Sequence, residues 1–281
     1  MIKILVDSSS DITAEESKKL GIELIPMEVL IDGVVYHDGV DLSHEEFFRL
    51  LGESHSFPQT SQISEYRYHE KFEELTKNGD SLIVICLSSG LSSTYNQAVL
   101  ASKDFENVYV VDSLTASIGE MVLIKYALRL VKKGLPVETI VEKLNSKKKK
   151  IRVFALMGTL KYLKKGGRIS SLIALAGTVL NIKPIISFQD GLIKFAGKAI
   201  GFKKGISLLK DLVIKTNGID LDMPYTVGYS CPDKETLDNF VAECKDLWNG
   251  DCDVSKRMIG STIGAHIGPG AVAVSYFEKD N

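Results

Sequence analysis

Ser81-Leu82-Ile83-Val84-Ile85-Cys86-Leu87-Ser88-Ser89-Gly90-Leu91-Ser92-Ser93-Thr94-Tyr95, residues 81–95, carries an unbroken apolar run into a turn made largely of serine. An apolar run of this length bounded by turn residues reads as a strand covered on both faces, hence a central strand of a mainly parallel sheet. The same pattern occurs twice more. Ile2 to Val6 runs into Asp7-Ser8-Ser9-Ser10-Asp11, and Val108 to Val111 runs into Asp112-Ser113-Leu114-Thr115. If the three runs are parallel strands of one sheet, their carboxyl ends share one edge, where open α/β sheets bind ligands. Hydroxyls and helix amino termini gathered there favour an anion held by neutral hydrogen bonds rather than by a lysine or arginine clamp. A fourth hydroxyl pair, Thr60-Ser61, reads as part of a loop.

Helical segments alternate with these strands, the pattern of βαβ units. Thr13-Ala14-Glu15-Glu16 is a capping box opening a helix that ends near Gly21, and Ser43-His44-Glu45-Glu46 opens another. Leu24 to Ile31 reads as one strand, and Asp32-Gly33 and Asp38-Gly39 as turns around Val34-Val35-Tyr36. Further helices are predicted over Tyr95 to Lys103, over Ile118 to Lys133 before Gly134, and from Pro136 onward. The run Lys147-Lys148-Lys149-Lys150 marks a junction, giving domains over residues 1–150 and 151–281.

The second half mixes its elements. Strands are expected at Ile151 to Leu156, Tyr225 to Tyr229 and Ala271 to Phe277. Pro184 to Phe188 and Leu192 to Ala196 form a hairpin about Asp190-Gly191. Helices fall around Thr159 to Lys164, Leu172 to Leu180, Phe202 to Lys215 and Lys234 to Trp248. The fold class is therefore α/β with two domains, the first built on a mainly parallel sheet covered by helices, the second mixed, and a ligand between them.

Composition bounds the function. At 281 residues two domains are the prior, and 34 basic against 36 acidic residues lack the basic bias of a nucleic-acid binder. The apolar stretch Ile169 to Ile182 is too short to span a bilayer, and Met1 to Val6 is too short for a secretory signal, so a cytoplasmic protein is expected. Cys86, Cys231, Cys244 and Cys252 have no CxxC spacing, which argues against zinc and for reduced thiols. No GxSxG elbow, phosphate loop or dinucleotide turn is present. His266, within Gly264-Ala265-His266-Ile267-Gly268-Pro269-Gly270, reads as a glycine-rich loop residue lining a site. His37, His44, His55 and His69 read as surface positions, and Asp7, Asp11 and Asp112 as helix caps or turn anchors. In Lys161-Tyr162-Leu163-Lys164-Lys165-Gly166-Gly167-Arg168, the lysines suit a helix carboxyl end capped by Gly166, while Arg168 suits an anion or a partner.

Taken together, these segments resemble the DegV family, which includes the fatty-acid-binding subunit of bacterial fatty acid kinase. The likeness rests on Asp7-Ser8-Ser9-Ser10-Asp11, Asp38-Gly39-Val40-Asp41, Thr60-Ser61-Gln62, Ser88 to Tyr95, Asp112-Ser113, Lys165 to Ile169, Lys183-Pro184-Ile185 and Gly264 to Ala271, in that order. The resemblance implies one long-chain fatty acid enclosed between two α/β domains. Its carboxylate would be bound by Thr60, Ser61 and Ser92, with Ser93 and His266 next. It also implies no metal, no cofactor and no catalysis by the chain itself: a separate ATP-dependent kinase would form acyl phosphate for phospholipid synthesis, with Arg168 facing that partner or the phosphate. A sixteen-carbon chain represents roughly 12 kcal/mol of hydrophobic transfer at about 0.8 kcal/mol per methylene, which only an enclosed apolar tunnel captures. Leu172, Ile173, Leu175, Val179 and Leu180 are candidates for its lining. The family usually has proline at Ile63, glycine at Ser93, threonine at Ala265, and in many relatives arginine at Ile200 and Phe202. Two other readings compete: a hydrolase or acyl/phosphoryl transferase using Ser92 with His266, and a regulatory module whose lipid is a structural filler.

Overall fold

The three runs that lead into hydroxyl-rich turns are adjacent strands of one sheet in the computed structural model, which describes residues 1–168, 181–230, 234–250 and 253–280. Strands β1 (Ile2–Asp7), β2 (Glu23–Ile25), β6 (Ser81–Cys86) and β7 (Val108–Asp112) pair in parallel in the order β2-β1-β6-β7. β6 is interior and buried on both faces, while β7 is an edge strand and only half-buried over its first three residues. Alternation follows from the pleat: Ile4, Val6, Ile83 and Ile85 enter one core, and Leu5, Leu82, Val84 and Cys86 enter another.

A second sheet runs β10-β9-β8-β13-β11-β12, using β8 (Ile151–Leu156), β9 (Ile182–Gln189), β10 (Leu192–Ile200), β11 (Tyr225–Tyr229), β12 (Lys256–Met258) and β13 (Val272–Phe277). All its pairings are antiparallel except β11 with β12. The β9–β10 hairpin turns at Asp190-Gly191, both with positive φ, as its sequence demands. Helices α3 (Glu65–Thr76) and α4 (Thr94–Ala101) cover the outer face of the parallel sheet, and α8 (Phe202–Lys215) and α9 (Lys234–Glu243) that of the mixed sheet. Between the sheets lies α5 (Ile118–Lys132), in contact with β6 on one side and with β8, β11 and β13 on the other. Each large apolar side chain it buries contributes about 1.5–3 kcal/mol. The chain is thus a two-domain α/β protein with a parallel sheet in its first part and a mixed sheet in its second.

Five readings of the sequence need correction. Leu24 to Ile31 is two strands, not one: after β2 the chain leaves the parallel sheet at Pro26, which has no amide to donate, and the next amide, Met27, donates to Ser8 Oγ at 2.9 Å. The following strand β3 (Glu28–Ile31) instead joins β4 (Val34–His37) and β5 (Gln59–Ser61) in a small antiparallel sheet, so Thr60 and Ser61 sit on a strand rather than in a loop. The capping box at Thr13 is complete for α1 (Ala14–Leu20). At α2 (His44–Glu53) only Ser43 caps, because Glu46 pairs with Arg49 instead. Residues 261–267 form helix α10 (Ser261–Ile267) rather than a loop, and Gly264 is required there because a Cβ would sit 2.6 Å from Phe47. His44 is buried rather than on the surface. The predicted helix at Leu172 to Leu180 lies outside the described residues, as do Cys231 and Cys252, whereas Cys86 and Cys244 are free and buried.

Most hydroxyls of the turn after β1 hold the fold. Ser9 Oγ lies 2.6 Å from Asp7 and 2.9 Å from Glu120, the latter on α5. One hydroxyl hydrogen cannot serve two carboxylates, so Glu120 carries the proton, donates to Ser9, and Ser9 donates to Asp7. Burial pushes the Glu120 carboxyl well above its ordinary range and those of Asp7 and Asp11 up to about 6. A raised folded-state pKa means the fold retains protons that the unfolded chain releases above pH about 4, so this contribution to stability falls as pH rises through the window from 4 to 6 and beyond. Glu120→Gln keeps the donor and removes the titration. Its stability advantage over the parent should widen by up to about 1.4 kcal/mol per pH unit as urea melts move from pH 5 to pH 7. A gap that narrows with rising pH would mean that Glu120 is ionised in the fold.

Candidate functional site

Side-chain size tapers along two neighbouring strands to leave a cavity. The face of β8 turned toward α5 presents Ile151, Val153 and Ala155, and the face of β13 opposite presents Phe277, Ser275 and Ala273, in register. The two tapers end together at the pair Ala155 and Ala273. Both line a cavity of about 510 Å³ bounded also by α10, the carboxyl edge of the parallel sheet, β5 and the loop before α5. Ile186 and Ile193 of the β9–β10 hairpin, Ile259, Ile263 and Ile267 around α10, and Met27, Leu87 and Ile118 make the wall apolar. The expected lining residues Leu172, Ile173, Leu175, Val179 and Leu180 lie outside the described residues.

All six residues singled out from the sequence, Thr60, Ser61, Ser92, Ser93, His266 and Arg168, line this one cavity. Thr60 Oγ1 lies 2.9 Å from His266 Nε2, joining β5 to α10 across 206 residues of chain. Burial, aided by the Arg168 charge, lowers the His266 pKa to about 4, so the imidazole is neutral at physiological pH. Its other nitrogen, Nδ1, is buried without a partner among the described residues and faces Gly166, where a Cβ would collide with it. A bare lone pair there costs less than a stranded N–H, so the single proton belongs on Nε2 and is donated to Thr60. Thr60 keeps its own hydroxyl hydrogen for an acceptor in the cavity.

Ser92 Oγ accepts the Thr94 amide at 3.2 Å and lies 3.0 Å from Thr94 Oγ1, so it serves as a cap for the start of α4 while lining the cavity. Ser93, at the N-cap position itself, makes no capping bond with its side chain. Arg168 directs Nε to the Leu91 carbonyl at 3.2 Å and Nη1 to the Gly166 carbonyl at 2.7 Å, which hold it beside the cavity. Among the described residues no aspartate or glutamate lines the cavity. Among the described residues no cluster of potential metal ligands forms, and no helix is long and apolar enough to cross a membrane.

The remaining turn hydroxyls support these walls. Ser88 Oγ donates to the Gly191 carbonyl at 2.7 Å, fastening the tip of the β9–β10 hairpin to the turn after β6. Ser117, at φ 57° and ψ −133° a strained conformation for a non-glycine residue, lines the cavity and donates to buried Asp11, which also accepts the Gly260 amide at 2.8 Å. Asp38 accepts from Ser261 N at 3.0 Å, Ser261 Oγ at 2.6 Å and Thr262 N at 3.1 Å. Two acids of the first half thus pin the amino end of α10, the helix that carries His266. Sequence reasoning missed Asp38 in this role, and it missed Ala155 and Ala273, although the taper toward them was legible once the strand alternation had been assigned.

The profile described as "Uncharacterised protein, DegV family" matches residues 1–279. A DegV domain-containing protein of Caldanaerobacter subterraneus subsp. tengcongensis is 36% identical over 283 residues, covering 99% of each chain. Among solved structures, one described as showing fatty acid binding of a DegV family protein from Thermus thermophilus superposes with a TM-score of 0.86 at 28% identity, covering 98% of this chain and 99% of that one. A stearic acid-binding protein from Eubacterium ventriosum gives 0.87 at 28% identity, covering 99% of each. The fold, the site residues' common cavity and the match over nearly the whole length agree: this chain belongs to the DegV family.

Proposed function

We propose that this protein binds one long-chain fatty acid, its acyl chain in the apolar cavity and its carboxylate at the rim formed by Thr60, Ser61, Ser92, Ser93 and His266. The observation that carries this reading is the direct junction of a neutral hydrogen-bonding rim with an apolar cavity that no acidic residue lines among the described residues. The fatty acids named for the Thermus and Eubacterium proteins support it. Thr60 donates to the carboxylate, oriented by His266. A neutral rim binds an anion through dipoles and leaves the ligand free to exchange.

The chain is read as a non-catalytic carrier, acting in the cytoplasm without cofactor, that presents the carboxylate to a separate ATP-dependent kinase forming acyl phosphate. Among the described residues His266 pairs with Thr60 and not with Ser92, which leaves Ser92 without the base that nucleophilic catalysis requires. Mass spectrometry of an organic extract of the purified protein should find a fatty acid in about one equivalent. A folded protein that contains none and takes up none when offered it would refute the reading. Thr60→Ala and Ser92→Ala should each weaken binding about tenfold in a fluorescent fatty-acid displacement assay, the worth of one hydrogen bond to a charged group. Unchanged affinity in both would place the carboxylate elsewhere.

A further inference from the structure

Helix α10 lies along the cavity and turns one stripe of side chains to it: Ile259 just ahead of the helix, then Thr262, Ile263, His266 and Ile267. This is the spacing of a single helix face, and apolar residues fill it except at two places. One is His266, paired with Thr60 at the rim. The other is Thr262, one turn before it, which is 2% exposed and whose Oγ1 is buried without a partner among the described residues. Its amide is spent on Asp38. Valine has the same shape and would strand no hydroxyl, so this oxygen weakens the fold unless a group from outside the chain satisfies it. Threonine in a helix has two favoured χ1 rotamers, which exchange hydroxyl and methyl, so Oγ1 turns into the cavity without movement of the backbone.

Ser117 stands at the same place. Asp11 takes the Ser117 hydroxyl and the Gly260 amide, so the amino ends of α5 and α10 meet at one carboxylate, and Ser117 and Thr262 both line the cavity there. Ser117 gives its hydrogen to Asp11 and keeps a lone pair with which to accept, while the Thr262 hydroxyl is free to donate and accept. The group that completes this pair is neutral and does both, because an anion would face Asp11 and Asp38. We propose, resting on the fatty-acid reading above, that Ser117 and Thr262 form a second polar station within the cavity, and that the acyl chain it selects carries a hydroxyl group near its sixth carbon. Thr262 precedes His266 by about 6 Å along the helix axis at 1.5 Å per residue, and an extended chain advances about 1.2 Å per bond, so a chain with its carboxylate at His266 brings roughly its sixth carbon to Thr262. An unsubstituted chain passes the same point and leaves the hydroxyl stranded, which makes the station a selector rather than a further anchor.

The test uses the intact protein and a fluorescent fatty-acid displacement assay with three probes, stearate, 6-hydroxystearate and 12-hydroxystearate, in the parent, Thr262→Val and Thr262→Ser. In the parent, 6-hydroxystearate should bind about tenfold more tightly than stearate, and 12-hydroxystearate more weakly, since its hydroxyl meets apolar wall. Thr262→Val should reverse the order of stearate and 6-hydroxystearate, with stearate held more tightly than by the parent because no hydroxyl is then stranded beside the chain. Thr262→Ser keeps the hydroxyl and should keep the parent's order, which separates loss of that group from damage to the helix. Stearate or 12-hydroxystearate as the tightest binder in the parent, or a preference for 6-hydroxystearate that survives Thr262→Val, would overturn the station while leaving the fatty-acid reading intact. Binding of none of the three acids would overturn that reading and the station with it.

Discussion

Asp38→Ala is expected to lower the unfolding free energy by about 4 kcal/mol in urea titrations. Asp38 is fully buried and takes three hydrogen bonds from Ser261 and Thr262. Its removal strands two backbone amides and a hydroxyl in the interior, where each unsatisfied donor costs about 1–3 kcal/mol. Asp38→Asn retains one acceptor oxygen and should lose roughly half as much. Because Asp38 holds the start of α10, the alanine variant should also bind fatty acid more weakly than its residual stability alone would dictate. A loss below about 1 kcal/mol would show that water or a rearranged neighbour satisfies these donors, and that the tie between the two halves is not made here.

Ala155→Phe should abolish binding of long acyl chains and leave the protein folded. The methyl group of Ala155 faces the cavity beside Ala273, at the point where both tapers end. A phenyl ring entering there displaces ligand rather than protein, so the overpacking cost of a filled core does not arise. Five excluded methylenes would cost about 4 kcal/mol, roughly three orders of magnitude in affinity for a sixteen-carbon acid. Acids shorter by several carbons should lose far less, so a chain-length series read by displacement assay separates a shortened cavity from a damaged protein. Uniform weakening across the series would refute the placement of the acyl chain against β8.

The architecture was legible wherever one residue type had only one physical role. Runs of apolar residues ending in hydroxyl turns fixed β1, β6 and β7, and Asp190-Gly191 fixed the hairpin, because few residues other than glycine and its small polar substitutes accept positive φ in succession. The same reasoning failed at Pro26, where a continuous apolar pattern spans a change of sheet that only tertiary pairing decides. It failed at residues 261–267 because glycine and histidine counted against a helix, whereas Gly264 is there to let Phe47 approach and the amino end is capped by Asp11 and Asp38 from 220 residues or more away. The rim residues Thr60, Ser92 and His266 were found through motif likeness, since no local spacing relates a strand residue to a helix residue 206 positions on. The burial of His44, Asp38 and Glu120 was missed for a related reason, whereas Asp7 and Asp11 do serve as the caps and turn anchors that their positions suggested. Charged residues are expected outside, and the partners that admit them to the interior are distant in the chain.

Helix α5 touches both sheets and ties three features together: Ile118 in the cavity wall, Ser117 at its start on Asp11, and Glu120 on Ser9. A bar shared by two walls makes them fail as one. Peeling off either sheet bares the same apolar helix, so loss of structure should pass through a single concerted step, and the amides of Met121 to Ile124 should be among the last to exchange with deuterium. The halves are then expected to stay together when a ligand enters. On the fatty-acid reading, entry and departure of an acyl chain should need only a local opening at the rim, with the frame around α5 kept closed.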